Sequence, residues 1–130
     1  MTTDHSGPFS LRLLLAEDDP IGRELMKKIA IRLGHQVDVV NHGLQALALA
    51  AANSYDLILL DVSMPVMDGY ACAREIRRGG GVNSGTVLVA VTGHVHENDR
   101  RQAFEAGMTD HLPKPVRIDE MKALILRHFG

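Results

Sequence analysis

The side chains best suited to chemistry in this 130-residue sequence stand where short apolar runs stop. Glu17, Asp18 and Asp19 follow LRLLLA (11–16), Asp61 follows DLILL (56–60), and Thr92 follows TVLVAV (86–91). Lys114 comes shortly after the run 109–112. Carboxylates brought together at one place have a cost. Two of them about 4 Å apart repel by roughly 4 kcal/mol at an effective dielectric of ~20. One must then be protonated or a cation must be present, and a single Lys114 is too little for three acids. A hard divalent cation with oxygen ligands answers the need, and a few carboxylates plus waters suit Mg²⁺. With a threonine hydroxyl and an ammonium beside it, such a pocket suits a phosphoryl group.

These residues meet only if the chain folds to bring the ends of the runs together. The pattern alternates strand and helix. Strands are expected at 11–16, 36–41, 56–60, 86–91 and 109–112. Helices are expected at 21–33, 43–53, 68–78, 97–106 and 118–129. Ile21, Leu25, Ile29 and Leu33 form an i, i+4 stripe on the first helix, and Leu44, Leu47, Ala48 and Ala51 a face on the second. Met121, Leu124, Ile125 and His128 line the last. Gly34 and Gly107 fall where helices end, and Asp68 where one begins. Strict alternation of five strands with five helices implies an α/β, doubly wound (βα)5 fold with helices on both faces of a parallel sheet. The third and fourth runs are unbroken and belong in the centre, while the second alternates and belongs at an edge. The strand order 2-1-3-4-5 satisfies both, and puts Asp18 and Asp61 in one crevice beyond adjacent strand ends.

Composition closes other routes. One domain, 11–130, is expected, behind a polar, disordered leader at 1–10 that lacks a signal peptide's basic and apolar regions. A net charge of −2 with scattered Lys and Arg leaves no nucleic-acid footprint, and 4% aromatics leave no base-stacking platform. No apolar run reaches the ~20 residues of a membrane span. A single cysteine, Cys72, excludes a disulfide framework and suits the reducing cytoplasm.

The segments LLLAEDD (13–19), LILLDVSMPVMDG (57–69), VAVTGH (89–94) and AGMTDHLPKP (106–115) together resemble the receiver domain of two-component response regulators. The chemotaxis member is similar in the expected strand order. The resemblance implies that Asp61 is the phosphoacceptor and that Mg²⁺ is held by Asp18, Asp61 and the backbone carbonyl of Ser63, with Glu17 acting through water. It implies that Thr92 binds a phosphoryl oxygen, that Lys114 pairs with the phosphorylated carboxylate, and that the Lys114–Pro115 peptide bond is cis, aiming the lysine inward. The phosphoryl group would come from a histidine kinase or histidine phosphotransfer protein. Output would pass through the surface of the fourth helix, fifth strand and fifth helix. The domain would assist its own phosphorylation and dephosphorylation without being an enzyme in the ordinary sense. The style of DVSMPVMDGY and GMTDHLPKP is nearer to receivers of hybrid histidine kinases. The chain departs from the family at His111, where an aromatic Tyr or Phe usually serves as a switch. Ser63 and His94 hold positions that influence phosphoryl lifetime.

Other readings fit less well. A flavin carrier on the same fold needs a phosphate loop after the first strand, where Glu17-Asp18-Asp19 would repel phosphate. A phosphohydrolase with an aspartyl intermediate wants an acid two residues past its nucleophile, where Ser63 stands. A degenerate interaction module would not need the intact acids, Thr92 and Lys114. Asp19 before Pro20 reads as a helix cap, Cys72 as a packed side chain, and Met64 and Met67 as wedge packing. His94 and His96 lack further ligands at metal spacing. The glycines at 79–81 precede a strand and lack the Lys-Ser/Thr of a phosphate loop.

Overall fold

The computed structural model describes residues 10–93 and 96–130, and the leader reading for 1–10 lies outside them apart from Ser10. Five strands alternate with five helices: β1 Arg12–Ala16, α1 Pro20–Arg32, β2 Gln36–Val40, α2 Gly43–Ala52 and β3 Leu57–Asp61. Then follow α3 Gly69–Arg78, β4 Val87–Thr92, α4 Glu97–Glu105, β5 Asp110–Pro113 and α5 Ile118–Phe129. All strands are parallel, in the order β2-β1-β3-β4-β5.

Alternation along each strand divides the core in two. Leu13, Leu15, Leu57, Leu59, Val89 and Val91 pack with α1 and α5 through Met26, Ile29, Met121 and Leu124. Leu14, Ala16, Ile58, Leu60, Leu88 and Ala90 pack on the other face, against Ala46 and Ala50 of α2 and Cys72, Ala73 and Ile76 of α3. Burial pushes the Cys72 thiol up to about 12, with Asp68 adding to the rise, so it is an inert packing group.

Two helix faces differ from the expected stripes. On α1 the buried residues are Met26, Ile29 and Ala30, while Ile21 is 80% exposed and Leu25 also faces solvent. Each i, i+4 step advances about 40° around a helix, so the stripe from Ile21 drifts off the sheet before Ile29 reaches it. On α2 the sheet takes Gly43, Ala46 and Ala50, and Leu44 is exposed. This helix is apolar all round, so periodicity does not define its inner face; close packing selects the smallest side chains. A Cβ on Gly43 would strike the Met67 carbonyl. Met64 and Met67 pack into the same core, as wedges. The exposed helix α4 buries none of its own side chains.

The caps follow local chemistry. The Asp19 carboxylate accepts a hydrogen bond from Gly22 N at 2.8 Å. The Asp68 carboxylate accepts one from Ala71 N, also at 2.8 Å. Each satisfies a free N–H of a first helical turn. Gly34 and Gly107 take φ of 94° and 93° just past α1 and α4, the left-handed conformation that ends many helices.

Two side chains tie loops together at the sheet end opposite the acidic residues. Asn83, 2% exposed, donates to the carbonyls of Ala50 and Asn53 and accepts from Tyr55 N and Thr86 Oγ1. Arg77 donates to the carbonyls of Gly107, Ser84 and Thr86, and burial lowers its pKa. Asn83→Ala leaves several buried partners unpaired and is expected to cost about 2–3 kcal/mol. A urea titration that finds the midpoint unmoved would show that these loops re-solvate freely.

Candidate functional site

The register that aligns β1 with β3 places Ala16 opposite Leu60, so Glu17 and Asp61 emerge side by side at the strand ends. Both have the strand parity that faces α1 and α5, and both are 1% exposed. Oxygens of Glu17, Asp18 and Asp61 come within 4.8 Å of one another, with Asp18 exposed at the rim. Lys114 reaches this pair from just beyond β5, across a Lys114–Pro115 bond that is cis. Its ammonium stands 3.1 Å from Glu17 Oε1 and 3.0 Å from Asp61 Oδ2. The second contact is charge pairing without an aligned hydrogen bond, so the buried Oδ2 of Asp61 has no hydrogen-bond donor among the described residues. Asp61 Oδ1 accepts from Ser63 N at 3.2 Å, and Glu17 Oε2 from Asp19 N at 3.1 Å. Arg23 braces this turn by donating to the carbonyl of Glu17 at 3.0 Å.

Burial first, then the neighbouring Asp61 carboxylate, push the Glu17 carboxyl from 4.5 up to about 7, against the lowering effects of Asp19 N and Lys114. Burial lowers Lys114, but its contacts with Asp61 and Glu17 outweigh that and its pKa is raised. Three carboxylates against one ammonium leave excess negative charge and an under-bonded buried oxygen. Such a donor set fits a hard divalent cation with water ligands.

Thr92 and His111 have the opposite strand parity. Thr92, 6% exposed, ends β4, and His111 pairs in register with Ala90. Together they line a cavity of about 210 Å³ under α4, with Tyr70, Ala103, Phe104 and Met108. The expected site residues therefore form two groups, an ionic cluster of Glu17, Asp18, Asp61 and Lys114, and a pair facing α4. Ser63 is exposed in the β3–α3 loop, and His94 lies outside the described residues.

The β3–α3 loop is set by features that periodicity and motifs do not reveal. Met67 N donates to the Pro65 carbonyl at 2.7 Å around Val66, whose φ is 71°. A β-branched residue in that region stores about 1–3 kcal/mol. Gly69 opens α3 so close to β3 that a Cβ would lie 2.5 Å from the Asp61 carbonyl and 2.9 Å from Val62 Cα. Its place in the run DVSMPVMDG is visible in the sequence, but the need for a missing Cβ is not.

The family of known proteins that this architecture matches is well defined. The model of the response regulator receiver domain matches residues 13–126. The chain belongs to that family. It is similar to the sensor protein EvgS of Escherichia coli, 36% identical over 115 residues, covering 88% of this chain and 9% of EvgS. It is similar to the sensor histidine kinase RcsC of Salmonella typhi, 34% identical over 123 residues, covering 93% of this chain and 13% of RcsC. Among solved structures, the receiver domain of a Pseudomonas aeruginosa sensor histidine kinase is 34% identical with a TM-score of 0.83, over 91% of this chain and 96% of that one. That receiver has a magnesium ion coordinated in its active-site cleft. The chain thus spans a small part of the curated relatives and nearly the whole of an isolated receiver. No helix among the described residues is long and apolar enough to cross a membrane.

Two outcomes follow from the receiver's pocket. Between pH 4.5 and about 7 the metal-free folded protein holds a proton at Glu17 that the unfolded chain has released, so this group's contribution to stability is lost as pH rises through that window. Urea midpoints of metal-free protein should fall between pH 5 and 8 more steeply than those of Glu17→Gln; equal slopes would refute the assignment. Gly69→Ala should cost about 1–3 kcal/mol by overpacking, read as a lower urea midpoint, with amide shifts concentrated at residues 61–63.

Proposed function

We propose that Asp61 is the phosphoacceptor of this receiver, taking a phosphoryl group from a phosphohistidine on a histidine kinase or histidine phosphotransfer protein. The observation that carries the reading is the buried, under-bonded Asp61 Oδ2 beside Lys114, in a cluster of acids that needs a cation. Asp18, Asp61 and the Ser63 backbone carbonyl would hold Mg²⁺, with Glu17 acting through water. When bound, the ion supplies positive charge for the transferring phosphoryl oxygens.

An Asp61 carboxylate oxygen forms the new bond to phosphorus as the bond from phosphorus to the donor's imidazole nitrogen breaks. The donor ring, protonated on its other nitrogen, keeps the electron pair of the broken bond and leaves as neutral histidine. Lys114, already within 3.0 Å of Asp61 Oδ2, pairs with the negative charge that the aspartyl phosphate carries. Thr92 contributes a hydroxyl to a phosphoryl oxygen. The chain's own part is positioning and charge stabilisation, for both gain and loss of the phosphoryl group.

The donor is proposed to dock on α1. Exposed Ile21 and Leu25 border a groove of about 340 Å³ that continues to Glu17, Lys114 and Pro115. An apolar partner surface seated there places its histidine at the pocket mouth. Resemblance to the sensor kinases EvgS and RcsC supports a place in a hybrid-kinase phosphorelay, in the cytoplasm. Readout is assigned to the face of α4, β5 and α5.

Incubation with acetyl phosphate and Mg²⁺ should add one phosphoryl group, detected by intact-protein mass. Asp61→Asn should abolish it, and a chelator should suppress it. Labelling that persists in Asp61→Asn would refute the proposal.

A further inference from the structure

The helix α2 differs in chemistry from the other four. Residues 39–55 contain no Asp, Glu, Lys or Arg, whereas α1, α3, α4 and α5 each carry several. Its sequence, GLQALALAAA, is apolar all round, a pattern that belongs to helices covered on every side. Yet Gly43, Ala46 and Ala50 alone are buried, and Leu44, Gln45, Ala48, Ala51 and Ala52 form an exposed outer face. Leu44 stands out from it, 45% exposed.

Polar groups at the ends of this face are already matched within the chain. His42 Nδ1 accepts from Gln45 N at 3.3 Å, and Gln45 Oε1 accepts from Asn41 N at 3.0 Å. The Asn53 amide donates to the Leu49 carbonyl at 3.2 Å. Beside Ala51 the surface dips. A hollow of about 130 Å³ lies between α2 and α3, walled by Leu47, Ala51, Ile76, Gly79 and Gly81. Glu75, at its edge, is neutralised by Arg78 at 2.9 Å.

One surface thus carries both an apolar knob and an apolar hole, and such a surface can pair with its own copy. Antiparallel pairing about a two-fold axis at Ala48 sets Leu44 of one copy level with Ala52 of the other, next to Ala51 and the hollow. Alanines at the crossing let the helices approach closely, and each helix N-terminus lies by the C-terminus of its copy. Charge selects the same occupant. A face without charge meets its own copy with no like-charge repulsion, and gives a charged partner nothing to pair with.

We propose that α2 is a self-association surface, through which two copies of the chain pair antiparallel, each Leu44 seated in the other's hollow between α2 and α3. One helix face buries less than the ~800 Å² per partner of a stable interface, so the pair is weak and forms at high local concentration. α2 packs on the sheet face opposite α1 and α5, so pairing leaves the α1 side of the acidic pocket open.

The test is sedimentation equilibrium of the whole chain from about 10 µM to about 1 mM, with a dissociation constant of about 0.1–1 mM expected. Ala48→Glu sets two carboxylates against each other at the axis, from an exposed position, and should weaken association at least about tenfold. Leu44→Ser should weaken it as well by removing the knob. Mixing Ala48→Glu with Ala48→Lys should restore association, which a misfolded variant would not do. Ile21→Ser, on α1, should leave it unchanged. Ala48→Cys should form a disulfide-linked dimer with oxidised glutathione, and the native Cys72 is buried and does not compete. A monomer at every concentration overturns the proposal and leaves the face to a different protein. Association that survives both Ala48→Glu and Leu44→Ser overturns it too, by placing the contact elsewhere.

Discussion

Two carboxylates buried side by side are held in this fold by one ammonium. Glu17 and Asp61 sit at adjacent strand ends with water largely excluded, and Lys114 lies about equally near to both. Like charges at that spacing do not coexist without relief, so the raised Glu17 pKa and the under-bonded Asp61 Oδ2 are consequences of one arrangement. The apolar interior of β1 and β3 makes the acids' strand ends dry, and the pairing of those strands makes the acids neighbours. Gly69 and the tight turn at Val66 then keep the following loop close to Asp61. The pocket is electrostatically incomplete by construction, which is the condition for drawing in a cation and a phosphoryl group.

The pleat of the sheet separates two tasks. Glu17, Asp61 and Lys114 share the parity that faces α1 and α5, where Ile21 and Leu25 offer an apolar approach. Thr92 and His111 share the other parity and face α4. Neighbouring strand ends thus send the acids and Lys114 to one side and Thr92 and His111 to the other. The two sides meet at the end of β4, where Val62 N bonds the Val91 carbonyl and Lys114 N the Thr92 carbonyl.

Much of this is legible in the sequence, for a physical reason. Strands buried on both faces read as unbroken apolar runs, and a polar residue that ends such a run must lie at the sheet's edge. That logic yields the elements, the strand order and the convergence of Glu17, Asp18, Asp61 and Lys114, whereas Thr92 ends its strand on the other side of the sheet. The same logic fails on the inner faces of α1 and α2. The stripe through Ile21 and Leu25 reads as core yet faces outward, and a helix apolar all round carries no phase. Asn83 and Arg77 escape such a reading because one side chain bonding to distant backbone leaves no period in the chain. The cis bond at Pro115 is legible only through family resemblance, since local sequence permits either isomer.

The shallow seating of α4 bears on how such a domain diversifies. None of its nine residues is fully buried, and Ala103 alone packs against the core, so substitutions on its exposed surface escape the packing cost that restrains α3 or α5. If readout passes through that face as proposed, it can be rewritten to suit a new listener while the acidic pocket stays fixed. Selection for who receives the message and selection for the chemistry that writes it act on different residues, and neither need wait for the other.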